Sequence, residues 1–419
     1  MTVLGCIADD FTGGSDVAAA LRRSGLSVVL LFGVPEDSTP APECDAIVVA
    51  LKSRTVPADE AVADTLRSWE WLTARGVPRL YFKYCSTFDS TDDGNIGPVT
   101  DALLVAMDES TALICPASPE HGRTVYRGHL FVGDQLLSDS SMRHHPLTPM
   151  TDSNLVGVLG RQTAGPVGLL DLSSVRGGAE AVAERLKDLE ASGVRHVVVD
   201  ATDPADLAAV ATAAVAMPFT TGGAGLAGAL GQVLADDRPE VSPGEDLNLP
   251  SGPGIVLAGS CSRATLTQVA LAQQSFPSYR LDPVATPDPD VIVEEALTWL
   301  RDNWGTGPVL MYSSATPDDR ARARAAMGPD TAAILETALG ELACEAADLG
   351  AARIVVAGGE TSGAVVQALG IRSVLVLGEE DTGVPWCLPT DEPAVALLLK
   401  SGNFGSDDLL VRALRGAGS

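Results

Sequence analysis

Short apolar segments alternate with helical patterns along almost the whole chain, and this alternation constrains the fold more than any other feature. After a first apolar run at Val3–Ala8, the candidate strands of the first half are Ser27–Phe32, Ala46–Leu51, Leu80–Tyr84, Ala112–Cys115, Pro166–Asp171 and His196–Asp200. Segments of this length that are separated by helices form βαβ units, in which the strands run parallel. The first half is therefore predicted to be an α/β domain with a mainly parallel sheet.

A break in the alternation divides the chain into two parts. From residue 235 to residue 254 the sequence ADDRPEVSPGEDLNLPSGPG replaces the periodic pattern with proline, glycine and acidic residues, which is typical of a domain boundary. The alternation then resumes with the candidate strands Ile255–Ala258, Val309–Tyr312, Arg353–Ala357, Ser373–Leu377 and Val395–Leu399. We therefore expect two α/β domains, residues 1–235 and 254–419, joined by a linker at 236–253 and separated by an active-site cleft.

The charge of the chain limits the partners it can bind. It has 55 acidic residues against 28 Lys and Arg, a net charge of −27, which repels nucleic acid and anionic membranes. The seven cysteines contain no CxxC pair and fit free thiols in the cytoplasm. No segment approaches the roughly 18 apolar residues of a membrane helix. We expect a cytoplasmic protein with a small-molecule substrate, and the sequence is compatible with a homo-oligomer.

Two adjacent carboxylates, Asp9 and Asp10, follow the first strand and precede a helix. In open α/β sheets ligands bind at the carboxyl ends of the strands, so an acidic pair there is either part of a site or a helix cap. Thr12, with Asp16 four residues later, can already satisfy the first turn of the helix. The pair is therefore interpreted as part of a functional site.

A polar loop follows the strand Leu80–Tyr84. Its candidate substrate-binding residues are Lys83, Ser86, Thr87, Asp89 and Asn95, and another strand end adds Lys52 and Arg54. Cations suit a carboxylate, and hydroxyl and amide groups suit the oxygens of a polyhydroxylated anion. A solvated turn is the alternative. A calcium loop is excluded, because Thr91 and Thr100 occupy positions that require ligating acids.

Two turns in the second half share one design, in which a strand leads through glycines and hydroxyl residues into a helix. The candidate phosphate-binding residues are Ser260, Gly359, Glu360, Thr361 and Ser362, and the segment LLLKSGNFG adds Lys400, Gly402 and Asn403 at a strand end. Such turns bring backbone N–H groups and the positive end of a helix dipole close to a phosphate. Ordinary helix capping is the alternative. Because no P-loop motif occurs, the phosphates would be held in another way.

Two further segments resemble functional motifs incompletely. Gly223, Gly225 and Gly228 match the dinucleotide fingerprint, but the required following strand with its acidic residue is missing. These glycines are interpreted as positions of close helix packing or as lining of the cleft. Residues 119–145 contain four of the five histidines without a metal-ligand spacing, so this cationic segment is expected to bind an anion or to pair with local acids.

The chain resembles the four-carbon acid sugar kinases, in particular the branch that phosphorylates 3-oxo-tetronate. The resemblance covers nearly the whole chain, in order, and its motifs are IADDFTGGSDVA, KYCSTFDSTDDGNIGPV, GRTVYRGHLFVGDQLL, MRHHPLTPMTDSNL, GSCSRATLTQ, GGETSGAVVQALG and LLLKSGNFG. It implies an N-terminal substrate domain and a C-terminal ATP domain, with phosphoryl transfer across the cleft. It also implies that ATP contacts Ser260, the turn from Gly359 to Ser362, and Gly402.

The reaction implied by the resemblance is transfer of the γ-phosphoryl group of MgATP to the 4-hydroxyl of 3-oxo-tetronate. Asp10 is predicted to accept the proton, with Asp9 orienting it or holding Mg²⁺, and Arg54 and Lys83 are predicted to bind the substrate carboxylate. The sequence leaves the metal ligands unassigned. A sibling kinase acting on threonate or erythronate and a non-catalytic nucleotide-binding regulator are the alternatives.

Overall fold

A computed structural model describes residues 2–40, 42–145, 147–236, 247–390 and 395–415. The chain divides into two compact units, Met1–Glu240 and Val241–Ser419. Most of the expected linker, 236–253, lies outside the described residues, because these leave out 237–246. Within the described ranges no helix is long and apolar enough to cross a membrane.

The first unit is built on a parallel sheet. Its strands are β1 (Leu4–Ala8), β2 (Val28–Phe32), β3 (Ala46–Ala50), β4 (Leu80–Lys83), β5 (Ala112–Cys115), β6 (Arg123–Tyr126), β7 (His129–Val132), β8 (Gln135–Leu136), β9 (Val167–Leu170), β10 (His196–Val199) and β11 (Phe219–Gly222). The large sheet has the order β2-β3-β1-β4-β11-β5-β10-β9, and its strands pair in parallel. Apolar strands buried on both faces are typical of such sheets, and the α/β prediction is confirmed.

Helices connect these strands. They are α1 (Phe11–Arg23), α2 (Ala58–Ala74), α3 (Ile96–Ala106), α4 (Leu155–Gln162), α5 (Leu172–Arg176), α6 (Ala179–Ala191), α7 (Pro204–Ala214) and α8 (Ala224–Ala235), with 3₁₀ turns at Pro119–His121, Leu137–Asp139 and Ser141–His144. Small residues let α1 lie close to the sheet, since a Cβ on Gly14 would come 2.5 Å from the Cβ of Ala50. The large side chains Val17 and Leu21 on the same helix are fully buried.

The cationic segment forms a small antiparallel sheet, β6-β7-β8, which the sequence analysis did not predict. The buried carboxylate of Asp200 holds its first turn by accepting the backbone N–H groups of Arg127 and Gly128, each at 2.8 Å. In the fingerprint segment, a Cβ on Gly223 or Gly225 would lie 2.7 Å from a carbonyl oxygen of the 116–117 backbone. This contact supports the interpretation of close packing.

The second unit has a mixed sheet. Its strands are β12 (Gly254–Ala258), β13 (Ser278–Arg280), β14 (Val309–Tyr312), β15 (Arg353–Ala357), β16 (Ser373–Asp381), β17 (Val384–Pro389) and β18 (Ala396–Lys400), and its helices are α9 (Arg263–Ala272), α10 (Pro289–Asn303), α11 (Pro317–Met327), α12 (Thr331–Asp348), α13 (Gly359–Ala368) and α14 (Leu409–Ala413). The strand order is β13-β14-β12-β15-β18-β17-β16. Pairing is parallel from β13 to β18, and β17 is antiparallel to both neighbours. The buried Trp386 of β17 joins the core of this unit.

Candidate active site

The acidic pair lies where the strand order of the first unit changes direction. From β1 the chain continues to β2 and β3 on one side, whereas β4 pairs with β1 on the other side. Ligands of open α/β sheets bind at the carboxyl ends of the strands at such a switch point. Asp9 and Asp10 directly follow β1, Lys83 ends β4, and Arg54 comes four residues after β3. The structure therefore brings these four predicted residues to one edge of the sheet.

Asp10 caps α1, so the expectation that Thr12 serves the first turn is wrong. Its Oδ1 accepts the backbone N–H of Gly13 at 2.9 Å, and Asp10 has extended backbone angles. A carboxylate at this position also interacts favourably with the helix dipole. Capping does not remove Asp10 from the site, because the same oxygen contacts Arg54.

Arg54 joins the two carboxylates. Its Nε and Nη2 donate to the two oxygens of Asp9 at 2.9 and 2.7 Å, and Nη2 lies 2.5 Å from Oδ1 of Asp10. Backbone hydrogen bonds join the same two segments, since the N–H groups of Ser53 and Arg54 donate to the carbonyl oxygen of Asp9. The remaining nitrogen, Nη1, lies 3.8 Å from Asp89. The site is thus a bidentate ion pair with one arm of the guanidinium directed toward Asp89.

The two neighbouring carboxyl groups differ in their electrostatics. Burial raises the pKa of Asp9, and the Arg54 charge only partly offsets this effect. Burial acts in the same direction on Asp10, but the charges of Arg54 and Lys83 and the Gly13 N–H outweigh it and lower its pKa. Asp10 is therefore ionised at neutral pH. Its side chain is also the more accessible, at 28% exposure against 8% for Asp9.

Lys83 is buried beside the start of α1. Its Nζ lies 3.8 Å from Oδ2 of Asp16, and a side chain on Gly13 would overlap both this nitrogen and Asp10. The glycine that follows Thr12 in the sequence is thus needed for the charged contacts. Burial raises the pKa of Asp16. The sequence analysis treated Asp16 only as a capping partner and missed its place in the cluster.

The polar loop contributes in two ways. The hydroxyl of Thr87 donates to Asp89 at 2.7 Å. Asp89 is the carboxylate that faces Arg54. The side-chain amide of Asn95 donates to the carbonyl oxygens of Ser53 and Val56 at 2.7 and 2.9 Å, so Asn95 holds the backbone that carries Arg54. Its Oδ1 is buried and has no hydrogen-bond partner among the described residues. The hydroxyl-bearing Ser86 is only half-buried on the same loop.

The second unit has a switch point of its own, between β12 and β15. From β12 the chain continues to β13 and β14 on one side and later to β15 and β18 on the other. The turns after these strands touch, because the N–H of Ser260 donates to Ala357 O at 3.0 Å and the N–H of Gly358 donates to Lys400 O at 3.0 Å. Gly358 has φ +138°, and a Cβ there would lie 3.0 Å from the Ser260 nitrogen. Only glycine fits this position without strain.

The start of α13 provides backbone N–H groups beside these turns. Gly359, Glu360 and Thr361 form its first turn, and the first N–H groups of a helix have no partner within the helix. Thr361 is buried, and a Cβ on Gly259 would overlap its hydroxyl. The hydroxyl of Ser362 donates to Gly358 O at 2.7 Å. Of the predicted residues in this turn, Thr361 and Ser362 direct their hydroxyls inward, whereas Glu360 is exposed.

Gly402 lies against the other turn. Ser262, the N-cap of α9, and Thr265 donate their hydroxyls to Gly402 O, and a Cβ on Gly402 would overlap the hydroxyl of Ser260. Lys400 lies beneath this contact and is fully buried. The structure therefore brings Ser260, Gly402 and the start of α13 together around three neighbouring strand ends.

The Lys400 ammonium group has two neutral acceptors. Its Nζ donates to Thr265 Oγ1 at 2.9 Å and to Gly402 O at 3.1 Å. Burial without a neighbouring carboxylate lowers the pKa of Lys400 to about 7. A buried cation of this kind favours the approach of an anion. The sequence analysis placed Lys400 among the candidate phosphate-binding residues but did not predict its burial.

Among the described residues, no group of three or more His, Cys, Asp or Glu side chains has the arrangement of a metal site. Mg²⁺ is commonly held by one or two carboxylates together with substrate phosphates. The partly exposed carboxylate of Asp10 fits that role better than Asp9, whose two oxygens are both bound by Arg54.

Comparisons with known proteins agree with a division of the candidate site residues between the two units. Residues 4–230 match a family described as a sugar-binding N-terminal domain, and residues 255–410 match one described as a nucleotide-binding C-terminal domain. These matches define a class of protein that has one domain for a sugar and one for a nucleotide.

Curated relatives and solved structures narrow this class. Proteins named 3-oxo-tetronate kinase from Burkholderia multivorans and Cupriavidus necator are each 48% identical, with 99% of this chain and 97% of the relative covered. A Salmonella typhimurium LT2 structure, described as a putative tRNA synthase, is 40% identical with a TM-score of 0.89 and 99% of both chains covered. A Haemophilus influenzae structure is 39% identical with a TM-score of 0.81, covering 99% of this chain and all of the other. The chain belongs to the 3-oxo-tetronate kinase family, which confirms the family predicted from the motifs.

Proposed function

We propose that the chain transfers the γ-phosphoryl group of ATP to the 4-hydroxyl of 3-oxo-tetronate. The observation that carries the proposal is a full-length identity of 48% to proteins named 3-oxo-tetronate kinase. The structure supports it with a charged cluster at the switch point of the first unit and glycine turns at the switch point of the second. The first site is assigned to the acid and the second to ATP.

In the proposed mechanism, Arg54 Nη1 and Lys83 bind the substrate carboxylate, while Asp10 accepts the proton of the attacking hydroxyl. The low pKa of Asp10 is compatible with this role, because phosphoryl transfer depends mainly on positioning and electrostatic stabilisation. Asp9 keeps Arg54 in place, and Asn95 fixes the backbone of the same arginine. Thr87 and Asp89 are assigned to substrate hydroxyl groups, with Ser86 at the edge of the site.

For the nucleotide, the N–H groups of Gly359, Glu360 and Thr361 are proposed to bind phosphate oxygens, together with Ser260 and Gly402. When bound, Mg²⁺ would supply charge neutralisation at the phosphates. The carboxylate of Asp10 would provide the protein ligand for the metal. Lys400 adds positive charge beneath the Gly402 backbone.

A kinetic screen with the purified chain tests the substrate. ADP release is measured with ATP and each of three acids: freshly generated 3-oxo-tetronate, threonate and erythronate. We expect the highest kcat/KM with the 3-oxo acid. A higher value with threonate or erythronate would identify a sibling kinase, and ATP binding without turnover of any acid would identify a regulator.

The net charge of −27 does not favour the nucleic-acid substrate suggested by the description of the Salmonella structure.

Gly359→Val is expected to raise the KM for ATP by at least about tenfold, because a branched side chain at the first residue of α13 obstructs the phosphate site. Initial rates at varied ATP give this value. Gly160→Val, also in a helix, is the control, since a Cβ there meets its nearest neighbour only at 4.0 Å. An unchanged KM in folded Gly359→Val would remove this turn from the nucleotide site.

Lys400→Met is expected to weaken ATP binding by about tenfold at about pH 6 and by less at about pH 8.5. The sign follows from a pKa of about 7, because Lys400 is charged below this pH and loses its charge above it. Titration calorimetry is carried out on wild type and on Lys400→Met at both pH values. Because the ionisation of ATP affects both proteins equally, the ratio of their affinities reports the effect of Lys400. The control is Lys187→Met, at an exposed position of α6. Equal affinities of wild type and Lys400→Met at the lower pH would exclude this role.

A further inference from the structure

Asn95, whose side chain holds the backbone of Arg54, is also the N-cap residue of α3. An asparagine at this position usually accepts a backbone N–H of the first helical turn with its own side chain. Within the described first turn of α3, Asn95 makes no such bond, and its amide group donates instead to the carbonyl oxygens of Ser53 and Val56. The first turn of α3 therefore needs an acceptor from another part of the chain.

Gln162, the last residue of α4, provides this acceptor. Its Oε1 accepts the N–H of Gly97, the second residue of α3, at 2.9 Å. This N–H has no acceptor within the helix, as is general for the first turn. The following residue, Pro98, has no N–H, and the N–H of Val99 already bonds to Asn95 O. Gln162 thus takes the part of an N-cap side chain.

The same amide group holds the polar loop, residues 85–95. Gln162 Nε2 donates to Ser90 Oγ at 2.8 Å and to the carbonyl oxygen of Thr91. These partners fix the orientation of the amide, because a flipped group would place Nε2 against the Gly97 N–H and Oε1 against a carbonyl oxygen. One side chain therefore joins the middle of the loop to the start of α3.

The end of α4 that carries Gln162 is itself fixed against α3. Thr163 donates its hydroxyl to Asp101 of α3 at 2.6 Å, and the same carboxylate lies 2.9 Å from Nε2 of the buried His196. Gly97 allows the close approach of the two helices, since a Cβ there would come 2.6 Å from the Cβ of Gln162. A side chain on a rigid element positions its partners more precisely than one on a loop.

The polar loop contains a backbone conformation that depends on its surroundings. Phe88 has φ +63°, in the left-handed region that is unfavourable for a bulky residue. Its ring is fully buried and packs edge-on against Tyr84, with 5.6 Å between the ring centroids. Such conformations persist where neighbouring structure holds them. The next residue is Asp89, which faces Arg54, so the position of this carboxylate depends on what holds the loop.

We propose that Gln162 is a positioning residue of the acid site. By capping α3 it leaves the Asn95 amide bound to residues 53–56, and by holding the loop it keeps Asp89 beside Arg54. The inference rests on the proposed function, which places the acid at these side chains. Gln162 lies outside the motifs identified in the sequence analysis, and its role follows from contacts between α4, α3 and the loop.

Substitutions of Gln162 test this role, with KM measured for ATP and for the acid that gives the highest kcat/KM. Gln162→Met keeps the length of the side chain but removes its hydrogen bonds, so KM for the acid should rise about tenfold while KM for ATP changes by less than about twofold. Gln162→Glu keeps an acceptor for the Gly97 N–H, and a carboxylate is favourable at a helix N-terminus. Its KM for the acid should stay within about threefold of wild type. The control is Gln135→Met, at an exposed position of β8.

The outcomes separate this inference from the proposed function. A wild-type chain that turns over no acid would overturn both. With an active wild type, an unchanged KM for the acid in Gln162→Met, or an equal rise of both KM values, would overturn the positioning role alone. Gln162→Glu as impaired as Gln162→Met would contradict the capping of α3. Should Gln162→Met not fold, Gln162→Asn replaces it, because its side chain is one methylene too short to reach Gly97 and the same rise is expected.

Discussion

Arg54→Met is expected to lower kcat/KM for the acid by roughly 10- to 150-fold, because a charge-assisted contact of about 1.5 to 3 kcal/mol is lost. The same change should lower the melting temperature. Arg54 holds both oxygens of the buried Asp9, and removal of one partner of a buried ion pair costs about 3 kcal/mol or more. Steady-state kinetics and a thermal melt measure the two effects.

A double variant separates these effects. Arg54→Met combined with Asp9→Asn removes the uncompensated buried charge, so the melting temperature should recover while kcat/KM for the acid stays low. Arg67→Met is the matched control, because Arg67 pairs with Asp64 at an exposed position of α2. If activity returns together with stability in the double variant, Arg54 is a structural residue and does not bind the substrate.

Asp10→Asn is expected to lower kcat by about 10² to 10⁴, because the amide retains the shape of the side chain but cannot accept the hydroxyl proton. Capping should survive, since Asn is nearly as good an N-cap as Asp. The KM for ATP should change little. Turnover with 3-oxo-tetronate is measured beside a thermal melt of the same preparation.

The control for this variant is Asp203→Asn, which changes the N-cap of α7 in the same unit. It should alter stability to a similar degree without an effect on kcat. If Asp10→Asn retains more than about a third of the wild-type kcat, the assignment of the base is wrong, since loss of a general base costs far more. Asp16 then becomes the next candidate, because burial raises its pKa beside Lys83.

The sequence predicted the parallel strands well, because each is a short apolar run that ends in polar residues or glycine. Besides the small sheet β6-β7-β8, it missed β11, β13 and β17. The three residues of β13 are only half-buried, and β17 begins and ends near prolines, Pro385 and Pro389, which argue against a strand. In both cases the pairing with neighbouring strands overrides a weak local pattern.

The candidate site could be predicted by residue type and by sheet edge, because carboxyl ends of neighbouring parallel strands meet. The ion pairs between its side chains could not be predicted. The contact between Arg54 and Asp9 joins residues 45 positions apart, and nothing local distinguishes it from a contact with substrate. The contact between Lys83 and Asp16 also joins residues that are far apart in the sequence.

The central claim is that the γ-phosphoryl group of ATP reaches the 4-hydroxyl of a 3-oxo four-carbon acid. Proton-coupled ³¹P NMR of the complete reaction tests it directly, because a phosphate ester at carbon 4 couples to the two protons of that carbon. The 3-oxo acid is generated in the same tube to limit its spontaneous loss of carbon dioxide. We predict a new phosphomonoester signal, split into a triplet, that grows as the γ-phosphate signal of ATP declines. Release of inorganic phosphate alone, or an ester signal split by a single proton, would contradict the account.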